Sequence, residues 1–225
     1  LQLDSNLYNL LNTIEFLPPS EKNTEFVEQL KSYQPQAMKI HDEGNIEIPV
    51  FNIQARAQGV QNYWLYLEEK QNLSNTLNSD YLLALDQIKT LLSSNHAAKI
   101  LAVKDSMALI NVNTRNQLSA HFIHLENISG IEKFVIDFAI IQKDKVLLDQ
   151  LINTLSNSHS EYLIRQIVKN FEKNFVIDKL IQQVNSNNGH RLSISLLKPY
   201  VNTESKVQQF VMDSLSDEKL ASAAA

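Results

Sequence analysis

"SGIEKFVIDFAII" (residues 129–141) is followed 29 residues later by "SHSEYLIRQIVKNF" (158–171), and the two stretches share a frame. Each opens on a serine, Ser129 or Ser158, with a glutamate three positions on, Glu132 or Glu161. That is the S-x-x-E capping box, in which two side chains satisfy each other's orphan backbone N–H groups at a helix start. Behind it, Phe134 superposes on Leu163, Phe138 on Ile167 and Ala139 on Val168. The same step leads to "NNGHRLSISLLKPY", with Asn187 first and Leu192, Leu196 and Leu197 in frame, and to "SDEKLASAAA", with Ser216, Ala221 and Ala225. Apolar residues at this spacing form one buried helix face.

A second series lies between these stretches: "LLDQLINTL" (147–155), "VIDKLIQQV" (176–184) and "VQQFVMDSL" (207–215), whose apolar positions also superpose. Two helices per roughly 29 residues predict stacked units that bury a shared core. Only four Gly and five Pro occur in 225 residues, which favours helices joined by Asn and Ser turns over turn-dense β structure. The fold class expected is all-α.

Upstream the period fades. Residues 4–17 predict a helix through Leu7, Leu10, Leu11, Ile14 and Leu17, stopped by Pro18-Pro19, and residues 20–33 a shorter one opening on Ser20. Around "DEGNIEIPVF", Gly44 and Pro49 mark an irregular connection near 40–51, with a short extended piece through Ile46 and Ile48. Helical spacing resumes from Asn52 to about Gln71, despite Gly59, and three further helices follow within 80–126. The division expected is an N-terminal helical region over 1–78 and repeats over 79–225, clearest in 129–225, or both as one continuous domain. A start at Leu1 rather than Met implies an upstream piece. The small residues after Ser216 suit a repeat helix packed closely against a neighbour.

The stretch "LLKPYVNTESKVQQFVMDSLSDEKLASAAA" resembles HEAT repeats: a helix, a short polar turn, a second helix opening on a Val, then an acidic turn into an Ala-rich helix. The resemblance covers residues 129–225, and 79–128 more loosely. Gln208 departs from it, standing where an Arg often follows the Val, and the 29-residue unit is short. It implies antiparallel helix pairs stacked as a right-handed α-solenoid of HEAT or armadillo type. It also implies a binding or scaffolding surface along the concave face, and it transfers no catalytic residue.

Net charge is −5, with 9 Lys/Arg against 14 Asp/Glu in residues 1–129 and 11 of each in 130–225, so no basic face offers itself to nucleic acid. No apolar run exceeds five residues, which argues against membrane insertion. Absence of cysteine removes disulfides, thiol catalysis and Cys zinc sites, and fits the cytoplasm or, after loss of a signal peptide, a periplasmic or secreted location. No dinucleotide, phosphate-loop, serine-hydrolase or zinc-protease signature occurs, so no catalytic, cofactor or metal residue is assigned.

Weaker constellations remain. His121 and His124 share a helix face and would need Glu126 or another acid to hold a metal. His41 lies beside Asp42 and Glu43 in the irregular loop, and Glu68-Glu69 and Asp217-Glu218 read as surface charge. Trp64, Tyr63 and Tyr66 offer aromatic area, which on a helix with Val60 and Leu67 is at least partly core. The alternative function they suggest is an enzyme's accessory or catalytic helical domain, with a pocket near Trp64 and the two histidines. The stronger feature is a polar ladder on the second helices: Asp149, Asp178 and Gln209 in one row, and Asn153, Gln182 and Asp213 one turn on. These six are the candidate partner-binding residues of a non-catalytic interaction or scaffolding module, forming an acidic, amide-rich groove for a basic or polar peptide.

Overall fold

Side-chain oxygens fix where several helices begin. Ser20 Oγ accepts from the Asn23 N–H at 3.2 Å, Asn52 Oδ1 from Ala55 at 3.0 Å, Asp80 Oδ1 from Leu83 at 3.1 Å, and Asp144 Oδ1 from Leu147 at 3.0 Å. Each supplies an acceptor to a first-turn donor that would otherwise be orphaned. The computed structural model describes residues 1–41, 44, 46–124, 128–155, 157–185 and 190–215. Among them the chain is helical apart from one short hairpin, and no helix is long and apolar enough to cross a membrane.

The chain divides into two units, Leu1–Leu109 and Ile110–Ala225. The first holds α1 (Gln2–Ile14), α2 (Glu21–Leu30), β1 (Met38–Ile40), β2 (Glu47–Pro49), α3 (Ile53–Ser79), α4 (Tyr81–Ser93), α5 (Ala97–Ser106) and a 3₁₀ turn over Met107–Leu109. α3 is its spine, packed by α1, α2, α4 and α5. Its first half contributes Ile53, Ala57, Val60 and Trp64 to a core with Leu11, Ile14, Val27 and Leu30. Its second half buries Leu73 and Leu77. Contacts on so many sides explain why this long helix lacks a single apolar stripe.

Several expectations change here. The first helix ends at Ile14 rather than Leu17, because the Trp64 indole N–H donates to the carbonyls of Glu15 and Leu17 at 3.2 and 3.1 Å and satisfies the chain end in a turn. The irregular connection contains an antiparallel hairpin, with Lys39 opposite Ile48. α3 runs past Gln71 to Ser79, and α4 and α5 pack on it. The division between the units falls in sequence between Leu109 and Ile110.

The second unit holds α6 (Val112–His124), α7 (Glu132–Gln142), α8 (Lys145–Thr154), α9 (Asn157–Asn170), α10 (Lys173–Asn185), α11 (His190–Leu197), a 3₁₀ turn over Lys198–Tyr200, and α12 (Ser205–Leu215). Helices two apart in sequence touch: α6 with α8, α7 with α9, and α8 with α10. Phe122, Phe134 and Phe138 form an aromatic cluster between α6 and α7, with ring centres 5.6 to 6.4 Å apart. The equivalent pairs Phe134/Leu163, Phe138/Ile167, Leu147/Val176, Leu148/Ile177 and Leu151/Leu180 are all buried. In α11 the frame slips by one residue, since Ser193, Ile194 and Leu197 are buried while Leu192 and Leu196 are half-exposed.

The two helices do not begin at the expected serines. Ile131 holds the cap position of α7, and Glu132 accepts from the Gly130 N–H at 2.8 Å. Ser158 lies inside the first turn of α9. The starts shifted, while the buried apolar frame held from α7 through α10. Asn187, Ser216, Ala221 and Ala225 lie outside the described residues.

Candidate functional site

Asp149 and Asn153 lie one turn apart on α8, as do Asp178 and Gln182 on α10 and Gln209 and Asp213 on α12. The opposite faces of α8 and α10 are fixed by burial of Leu147, Leu148, Leu151 and Ile152, and of Val176, Ile177, Leu180 and Val184. That anchoring turns the polar positions outward. Asn153, Asp178, Gln209 and Asp213 are exposed, and Asp149 and Gln182 half-buried.

The bonding runs from one helix to the next. Lys179 on α10 pairs with Asp149 on α8, and Lys206 on α12 pairs with Asp178 on α10. Lys179 also donates to Gln182 Oε1 at 3.0 Å, and Gln182 Nε2 reaches Asn153 Oδ1 at 3.5 Å. One turn nearer the helix starts the polarity reverses: Lys145 pairs with Glu172 at 3.5 Å, and Lys173 with Glu204 at 2.6 Å. Each step, α8 to α10 and α10 to α12, thus carries two ion pairs of opposite sense. Gln209 turns to Asp213 within its own helix, at 2.8 Å.

This corrects the expectation of an acidic groove. Asp149 and Asp178 are matched by lysines of the following helix, so the ridge is charge-compensated and its free character is amide and mixed charge. Hydrogen bonding and charge from Glu204 hold the Lys173 ammonium above its ordinary pKa. Glu172 is held below its ordinary value by its own backbone N–H and by Lys145 and Lys143. The four lysines were missed in the sequence. Their signal was present as opposite charges one repeat apart, Asp149/Lys179 and Lys145/Glu172 among them.

Lysines also brace the rings beside the ridge. Lys145 and Lys179 approach Phe175 at 4.9 and 5.1 Å from its centre, and Lys143 lies 4.2 Å from that of Phe171. Between α10 and α12 is a dimple of about 100 Å³, lined by Asn174, Ile177, Asp178, Glu204 and Lys206. Small-molecule pockets run from about 300 Å³ upward, so this one suits a single side chain.

The remaining candidates fall in different units. Trp64 is 6% exposed, in the core of the first unit, with its N–H committed to Glu15 and Leu17. His121 and His124 belong to α6 of the second unit, where His121 lies edge-on to Phe122 at 5.9 Å. Glu126, Asp42, Glu43, Asp217 and Glu218 lie outside the described residues. Among the described residues no three His, Cys, Asp or Glu come together in a way that would hold a metal ion. Glu69 pairs with Lys99 at 3.5 Å. No family model, curated protein or solved structure matches the chain.

Proposed function

We propose that this protein is a non-catalytic interaction module. In this reading its second unit is a HEAT-like α-solenoid, antiparallel helix pairs stacked with a right-handed sense. The α8–α10–α12 ridge is its docking surface for a protein or peptide segment. The observation that carries the reading is the helix-to-helix bonding of Asp149, Asn153, Asp178 and Gln182, which makes three helices present one continuous strip. Contacts between helices two apart in sequence fit the stacked arrangement.

The strip favours a partner rich in amides and in charges of both signs. Ion pairs as exposed as Asp178–Lys206 are worth about 0–1 kcal/mol, so an incoming charge displaces them at little cost. A photo-crosslinking residue at Gln182 or Gln209 is the test. The expected result is capture of a defined partner, lost in Asp149→Lys/Asp178→Lys while far-UV circular dichroism stays unchanged. Capture no better than from Glu161, exposed on α9, would refute the ridge as a docking surface.

A further inference from the structure

One face of the first unit carries an aromatic row that its core only half uses. Phe16, just past α1, is 75% exposed, and its ring meets Tyr63 of α3 edge-on at 6.1 Å. Tyr63 in turn meets Tyr66 at 6.0 Å. Leu17 and Leu67, at 46% and 41% exposure, are next to the row in sequence. Single exposed apolar residues are ordinary, but here the exposed Phe16 ring continues into the half-buried rings of Tyr63 and Tyr66.

The chemistry of the row points to cations. Aromatic faces attract ammonium and guanidinium groups. At the end of the row Lys70 Nζ sits at the hydroxyl edge of Tyr66, 5.5 Å from the ring centre and donating to the hydroxyl at 3.3 Å, and that hydroxyl donates to Asp105 Oδ2 at 2.8 Å. Among the described residues no cation covers Phe16 or Tyr63. The unit is also acidic. Residues 1–109 hold 8 Lys/Arg against 13 Asp/Glu, while residues 110–225 hold 12 of each. Glu68 follows Leu67 directly in α3, and Glu69 after it is paired with Lys99.

We propose that this row docks an extended basic segment of a partner protein, with Arg or Lys side chains lying over Phe16 and Tyr63. Residues on one side of an extended chain repeat about every 6.6 Å, close to the spacing of the rings. Basic residues at alternate positions therefore meet successive rings, and Lys70 closes the Tyr66 end. The surface lies on the first unit and stands or falls separately from the ridge of the second.

The test titrates the full chain with a short fluorescein-labelled peptide of alternating Arg and Ser, followed by anisotropy at low salt. Binding is expected to weaken about tenfold in Phe16→Ala, a substitution too exposed to disturb folding. It should tighten in Lys70→Ala more than in Lys89→Ala, because only the former removes a competing cation from the end of the row. An alternating Glu and Ser peptide should not bind. Absence of saturable binding, indifference to Phe16→Ala, equal effects of the two lysine variants, or equal binding of the acidic peptide each overturns the proposal.

Discussion

Tyr162 on α9 donates its hydroxyl to Asp137 Oδ1 on α7 at 2.6 Å, and Asp137 is only 6% exposed. Tyr162→Phe deletes that donor and leaves a buried carboxylate less satisfied. A hydrogen bond to a charged acceptor contributes about 1.5–3 kcal/mol, so the variant should lose about 2 kcal/mol at neutral pH. Burial first, then the hydrogen bond and charge of Asp137, raise the Tyr162 pKa above its ordinary value. A raised folded-state pKa means the contribution is fully present below about pH 10, where the unfolded tyrosine titrates, and is lost as pH rises toward the folded value. The loss runs at no more than about 1.4 kcal/mol per pH unit, so wild type and variant converge no earlier than about pH 11.5. Other titrating groups are common to both proteins and cancel. Urea unfolding followed by circular dichroism, at neutral pH and at alkaline steps, measures the gap. A gap that stays constant with pH, or none at neutral pH, would refute the coupling of Tyr162 to Asp137.

Three further outcomes follow from the packing. Gly59→Ala should stabilise the first unit by about 0.5–1 kcal/mol in thermal or chemical unfolding, since Gly59 lies within α3 and an added Cβ meets only Arg56 Nη1 at 3.6 Å. Phe138→Ala, at the centre of the aromatic cluster of the second unit, should cost about 3–5 kcal/mol in chemical unfolding. Asp4 is held below the usual carboxylate range by the Ala37 N–H, then the Tyr33 hydroxyl and the Gln36 N–H. A depressed folded pKa adds stability above the unfolded value that is lost as pH falls through the folded one. Asp4→Asn should therefore lower the Tm at neutral pH, with the gap narrowing below about pH 4.

Much of the helical pattern was legible because burial enforces it. Leu163 and Ile167 are buried where Phe134 and Phe138 are, as their superposition implied. The serine caps misled because a cap depends on local backbone geometry: Ile131, with no capping side chain, still starts α7. The end of α3 was read short, at about Gln71, because contacts on several sides leave this helix without a single apolar stripe. Asp149 and Asp178 were visible as a row, but their lysine partners are one repeat away, beyond any local window. The aromatic row was half visible: Tyr63 and Tyr66 stood out with Trp64, yet Trp64 is core and the exposed ring is Phe16, distant in sequence.

A docking ridge across α8, α10 and α12 requires these helices to lie in open order. Spin labels at Asn153 and Asp213, the outer helices of the three, test this directly by their separation in solution. Interhelical spacings of 8–10 Å, taken twice, place the labelled backbones about 20 Å apart in a stacked row. A separation no longer than that between adjacent helices would mean that α12 closes back on α8 as a bundle, and would contradict the ridge.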